Sequence, residues 1–367
     1  MSIGRIVINT KKNRDSNIEL LRIISMLLIL FHHGVVHGNL DFYGTLSLNK
    51  LFLSLFIFGG KFGVNVFVLI SGYYLCKGNF SIRKFAKVAS EILFYIIFVL
   101  SIVSIFFTNF ITIDRFLLSI YPFQGFAVNY LFLYILSPYL NKAIEKLSRE
   151  DYRNLLFICT VILSILPTFL PRFDGFYLLS WMIFLYFVGS YIRIYIDFNK
   201  IQSYHNVFLK LALLFIVLTN IIAGVVHIFK ENLFFKYIFW INERTFFADN
   251  SFILLIASTA FFLYFLGVNI RQNKVINFIS ANMFGVLLIH DHPFRFLIFE
   301  NLLKFPKFQY EIWFPEYYLI SLILIFLFGV LISGFRLHFL ESFMTQVMVN
   351  FLVKVRKLIY EKLYFKF

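Results

Sequence analysis

Charge is scarce in this chain. Asp, Glu, Lys and Arg make up 14% of its 367 residues, against 60% hydrophobic residues. A water-soluble domain carries roughly 25% charged and 45–50% apolar residues. The shortage excludes a large soluble core, which needs a charged surface around it. Cysteine is nearly absent: Cys76 and Cys159 both fall in or beside apolar stretches and form neither a disulfide framework nor a metal pattern. No small-residue cleavage site follows the first apolar run, and the residues before it are polar and basic. A cleavable signal peptide is therefore not expected, and that run is the first span itself. Internal repeats and low-complexity linkers are also missing.

Long apolar runs fill the space these features leave. Uncharged stretches cover 23–40, 92–113, 116–141, 154–171, 175–192, 211–229, 250–270, 275–290 and 317–335. Most reach the roughly 17–25 residues a helix needs to cross a hydrocarbon layer about 30 Å thick. A backbone in lipid must satisfy its own hydrogen bonds, as helices or closed barrels do. Barrel strands alternate over about ten residues, and these runs do not. The expected fold is therefore all-α, a polytopic transmembrane bundle of about ten spans. They fall near 17–37, 59–76, 87–109, 125–141, 154–171, 176–193, 208–229, 250–269, 275–292 and 317–338. Residues 1–341 form one membrane domain, and 342–367 form a basic amphipathic tail suited to the inner leaflet. The segment 46–60 stays open between helix, re-entrant and interfacial readings.

The net charge of +15 would suit a nucleic-acid binder, but its distribution argues for topology instead. With ten spans the termini share one side, and most Lys and Arg residues crowd there, for example Lys11, Arg14, Arg83, Lys84, Lys142, Arg193 and Lys354. Cytoplasmic loops carry that excess, so both termini are expected in the cytoplasm of a multi-pass plasma-membrane protein. Anionic lipid, not nucleic acid, is the expected partner of the charge.

Ionisable groups inside a span are costly, and each is a functional candidate. The first span holds Glu19, Arg22, His32, His33 and His37. Eleven residues turn a helix about 20° past three full turns and raise it about 16 Å. Arg22 and His33 thus share a face, with Arg22 near the inner mouth and His33 deep; His32 points off that face, and His37 lies one turn beyond His33. An arginine at the mouth can grip phosphate, and a buried neutral histidine can take a proton from a hydroxyl. The alternative is an arginine that snorkels to headgroups and histidines that bond neighbouring helices. His33 and His37 are also spaced to share a zinc ion, but no third ligand is local in sequence, and no metal is expected.

Other segments add candidates. His290-Asp291-His292-Pro293 closes the ninth span, either as a site element or as a helix end broken by proline. Asn65 and Ser71 in the second span are placed to line a cavity, while Gly63 and Gly72 suit close helix packing. Arg83 and Lys84 after that span are either ordinary inner-side charge or part of a phosphate site.

Taken together, these stretches resemble the acyltransferase-3 family of bacterial integral-membrane O-acyltransferases. The resemblance rests on Arg22 and His33 with ten residues between them, and on His37-Gly38. It also rests on Gly63-Val64-Asn65-Val66-Phe67 with Ser71-Gly72, and on Arg83-Lys84. Further segments are Tyr130 to Asn141 around Ser137-Pro138, Phe187 to Arg193, and Leu288 to Pro293. Asn129 stands where many members have tryptophan. The resemblance implies an acetyl-CoA or other acyl-CoA donor and no permanently bound cofactor. It implies a hydroxyl acceptor on a cell-surface or exported polysaccharide, with polysaccharide-synthesis machinery as partner. His33 and Arg22 would be catalytic, and Arg22, Arg83 and Lys84 would bind the donor. His37, Asn65, Ser71, His290 and Asp291 would line the acceptor site. The rival reading is a transporter or flippase for a glycan or lipid-linked intermediate. That predicts inverted repeats and matching broken helices, and the sequence shows neither.

Overall fold

The computed structural model describes residues 14–41, 47–120, 125–170, 178–229 and 248–364. The described residues are helical, with no strand among them. In chain order the helices are α1 (Ser16–Val36), α2 (Leu48–Ser54), α3 (Gly59–Leu75), α4 (Ile82–Phe106), α5 (Ile113–Ile120) and α6 (Phe126–Lys146). Then come α7 (Arg149–Thr160), α8 (Leu166–Phe169), α9 (Leu178–Tyr195), α10 (Phe198–Phe229) and α11 (Phe252–Gly267). The last are α12 (Lys274–Ala281), α13 (Met283–His290), α14 (Phe305–Phe308), α15 (Phe314–Phe335) and α16 (Glu341–Tyr364).

Each of the ten expected spans falls on a helix or a helix pair. By length and hydropathy, seven described segments suffice to cross a membrane: α1, α2–α3, α4, α7–α8, α9, α10 and α15–α16. Two shorter apolar segments, α11 and α12–α13, stand beside them. The ends differ from the sequence reading where charge interrupts an apolar run. α10 begins at Phe198 and carries Lys200 and Lys210 inside the helix. The open segment before α3 is helical over Leu48–Ser54, capped by Ser47, whose hydroxyl accepts from the Lys50 amide. Apolar side chains on α4, α10 and α15 face outward; Ile97, Leu214, Val217, Ile320 and Leu324 are all exposed. A protein in water rarely shows so broad an apolar surface, and this bundle is a multi-pass membrane protein.

α1 runs through the centre, with α3 and α11 on one side and α12, α13 and α15 on the other. Small residues set the closest approaches. A methyl on Gly63 would sit 2.6 Å from the Ser25 carbonyl oxygen of α1, and one on Gly72 would sit 2.8 Å from the Tyr186 Cα of α9. Gly189 returns the contact against α3. Small residues let helices close in this way where lipid gives no hydrophobic drive between them. The segment 274–290 is broken at Asn282, which ends α12 and starts α13 with φ −102° and ψ 0°. That break carries His290 and Asp291 alongside α1. At the end of the bundle where α1 begins, Arg14, Arg83, Lys84, Lys142, Arg193 and Arg336 gather, and we term it the basic end. The C-terminal segment is a helix, α16, packed along α4.

Candidate functional site

α1 places three histidines at the end remote from the basic end. His33 lies on the face toward α13, where its ring centroid is 5.2 Å from that of His290 and 5.2 Å from that of His37. His33 Nδ1 is sealed from solvent without a hydrogen-bond partner, while the residue as a whole is half-buried. His290 is fully buried; its Nδ1 donates to the Val286 carbonyl at 2.6 Å, and its Nε2 has no partner. A neutral ring that donates through Nδ1 carries its lone pair on Nε2. An unfilled acceptor on His290 therefore neighbours an unfilled nitrogen of His33.

Asp291 completes the cluster. One ring nitrogen each of His33 and His37 and a carboxylate oxygen of Asp291 all lie within 4.8 Å of one another. Sequence spacing offered no third ligand beside the two histidines, and the fold supplies it from the end of α13. These atoms lie near enough to converge on a divalent cation, but Arg295 holds Asp291 Oδ1 at 2.5 Å and already balances its charge. The sequence reading missed Arg295, which follows Asp291 at the helix-neighbour spacing of four.

His32 has a different task. It is buried on the opposite side, donating Nδ1–H to the Ile57 carbonyl at 2.6 Å against Gly60. The helical-face argument thus separates the two adjacent histidines as their surroundings do. An aromatic collar of Phe31, Phe52, Phe56 and Tyr318 walls this part of α1, and the Tyr318 hydroxyl donates to the Phe31 carbonyl. Beyond the cluster, α2 is tied to residues 309–311 by Asn49, which donates to the Gln309 and Glu311 carbonyls at 2.8 Å each.

Arg22 sits three turns away toward the basic end. Its Nη1 donates to both oxygens of Glu19, at 2.9 and 3.1 Å. Glu19 also accepts from the Ser280 hydroxyl and lies 3.8 Å from Arg14. Arg22 is thus a half-buried, counterbalanced cation on the same helix as His33. Arg83 and Lys84 are exposed in the first turn of α4, whose N-terminal amides favour anions. Asn65 is fully buried with both ends of its amide engaged: it accepts from Trp181 Nε1 at 2.9 Å and donates to the Asp249 carbonyl at 3.1 Å. Ser71 donates to the Phe67 carbonyl within α3. The structure therefore gathers His33, His37, His290 and Asp291, and places Arg22 with Glu19, Arg83 and Lys84 at the helix start, and Asn65 and Ser71 in packing contacts.

The arrangement sets three histidines and a carboxylate together at one end of α1, with Arg22 and its partner Glu19 three turns away on the same helix. A family model described as an acyltransferase domain matches residues 15–334. No curated protein and no solved structure matches the chain.

Proposed function

Because the chain belongs to the Acyl_transf_3 family of acyltransferase domains and is a multi-pass membrane protein, we propose that it moves an acetyl or related acyl group from acyl-CoA to a hydroxyl of a cell-surface or exported polysaccharide. The observation that carries this reading is the His33 cluster: a half-buried imidazole with unfilled neighbours, set on α1 beyond Arg22. With its proton on Nδ1, His33 keeps the Nε2 lone pair for an acceptor hydroxyl. As the hydroxyl proton passes to His33, the oxygen attacks the thioester carbonyl carbon and forms a tetrahedral oxyanion. The C–S bond then breaks, the ester remains on the acceptor, and the thiolate takes the proton back from His33. General-base help of this kind contributes about 10²–10⁴-fold in rate. Asp291 and His290 act here as positioning residues.

The donor enters from the basic end, which by its Lys/Arg excess is the cytoplasmic side. Arg22, Arg83 and Lys84 bind its phosphates, and Arg22 exchanges part of its contact with Glu19 for them. The decisive experiment supplies radiolabelled acetyl-CoA to membranes that carry the protein, followed by mass spectrometry of the isolated polysaccharide. Labelled ester on the glycan in wild type, and none in His33→Ala at matched protein level, supports the reading. Movement of an unmodified glycan across the membrane with no ester formed would favour a transporter instead.

A further inference from the structure

Attack on a thioester puts negative charge on its carbonyl oxygen, and a general base does nothing for that charge. The members of the cluster around His33 are poorly suited to hold it. His290 spends its Nδ1–H on the Val286 carbonyl. Asp291, an acceptor when ionised, would repel an oxyanion unless its own charge were balanced. Among the described residues, one cation bonds to the cluster: Arg295, whose Nη1 lies 2.5 Å from Asp291 Oδ1. It follows Pro293, where the chain has just left α13. Asp291 in turn brings a carboxylate oxygen within 4.8 Å of a ring nitrogen of both His33 and His37. The charge of Arg295 also acts on His37 and His290.

The contact between Arg295 and Asp291 is one-pronged. A guanidinium carries five N–H donors in a rigid fork, and Nη1 alone meets Asp291; the side chain makes no other hydrogen bond among the described residues. It is 35% exposed, so its remaining donors stand open. Asp291 holds the fork in place before any charge develops, and donors fixed in advance stabilise an oxyanion without reorganising. We propose that Arg295 is a catalytic residue of the transfer, donating its free N–H groups to the thioester carbonyl oxygen as the tetrahedral centre forms. The electron pair of the C=O bond moves onto oxygen as the acceptor oxygen adds, and returns as the C–S bond breaks. Arg295 keeps its protons throughout. The inference rests on the acyl-donor reading above and supplies that reaction with its oxyanion stabiliser. The rival role for Arg295 is to balance Asp291 and nothing more.

The test measures transfer from labelled acetyl-CoA to the isolated polysaccharide by the full-length protein in lipid nanodiscs, with each substrate titrated in turn. It compares wild type, Arg295→Gln, Asp291→Asn, the double variant and Arg295→Lys, each checked for folding by its melting temperature. Removing one oxyanion donor costs about 10²–10³-fold in kcat. Arg295→Gln should lose about that much with both KM values near wild type, because an interaction made only in the transition state lowers kcat and kcat/KM together. The same loss should recur when Arg295→Gln is added to Asp291→Asn, where no carboxylate remains to be balanced. Arg295→Lys keeps the charge without the fork and should still lose roughly tenfold or more in kcat. A loss confined to the background with Asp291 intact, a rise in KM at unchanged kcat, or wild-type kcat in Arg295→Lys overturns the proposal. If Asp291→Asn is itself inactive, the lysine variant and the split between kcat and KM decide. Wild-type protein that transfers no label would remove the acyl-donor reading, and the proposal with it.

Discussion

Replacing His33 and His32 one at a time separates chemistry from packing on adjacent residues. His33→Ala removes the proposed base and leaves the Val286 bond of His290 intact. Loss of a general base costs about 10²–10⁴-fold, which is roughly 2.7–5.4 kcal/mol of barrier at 1.36 kcal/mol per decade. Its ring makes no hydrogen bond in the fold, so thermal stability should change little beyond the lost ring contacts. His32→Ala instead strands the part-buried Ile57 carbonyl that Nδ1 satisfies at 2.6 Å. An unfilled buried acceptor costs about 1–3 kcal/mol of stability, while the reacting groups stay in place. The assay is labelled acetyl transfer in membranes with matched protein levels, paired with melting temperature in detergent. His33→Ala should be nearly inactive and close to wild type in melting; His32→Ala should melt lower and keep most of its rate per folded molecule. An active His33→Ala beside a dead but stable His32→Ala would refute the helical-face reasoning. Full activity in both would move the base elsewhere, with His290 as the next residue to replace.

Arg22→Lys keeps the charge but loses the planar fork that grips Glu19 and phosphate; charged hydrogen bonds are worth about 1.5–3 kcal/mol, so donor KM should rise roughly tenfold or more, and unchanged donor affinity in Arg22→Ala would reduce Arg22 to an anchor. Gly72→Ala presses a methyl against the Tyr186 backbone at 2.8 Å and should lower stability by about 1–3 kcal/mol, read as a drop in melting temperature; an unchanged melting point would show that α3 and α9 part freely. Strong chelators should leave the rate intact, because Arg295 already balances Asp291; activity lost on chelation and restored by zinc would reassign His33, His37 and Asp291 as metal ligands.

Most of the bundle was legible because apolar length is the dominant signal in a lipid-embedded chain. The ten apolar segments fall on helices, and His33 lies on the face of α1 toward α13 while His32 packs against Gly60. Partnerships across the bundle were not legible. Nothing in the sequence ties Glu19 to Ser280, or Asn65 to Trp181, since these pairs are made by helices far apart in the chain. Asn65 shows the consequence: a polar residue in a span is a candidate by its cost alone, and only the fold reveals that its amide is already spent on α9 and Asp249. The third potential ligand at His33 and His37 was hidden for the same reason, because Asp291 arrives from a helix broken at Asn282. Arg295 and Arg336 were open to detection, one by its spacing of four from Asp291 and the other as a charge at the end of the last span. Neither stood out among the 34 Lys and Arg residues of the chain.

The claim at the centre of this account is directional: a donor held at the basic end of α1 delivers its acyl group to His33 near the other end. Sealed vesicles with the protein in one known orientation test it, with labelled acetyl-CoA supplied to one face and a hydroxyl-bearing oligosaccharide to the other. The account predicts ester formation when acetyl-CoA meets the basic face and the oligosaccharide meets the opposite face, and none when His33 is replaced by alanine. Ester formed equally well with both reactants on the basic face, or with acetyl-CoA on the opposite face alone, would contradict it.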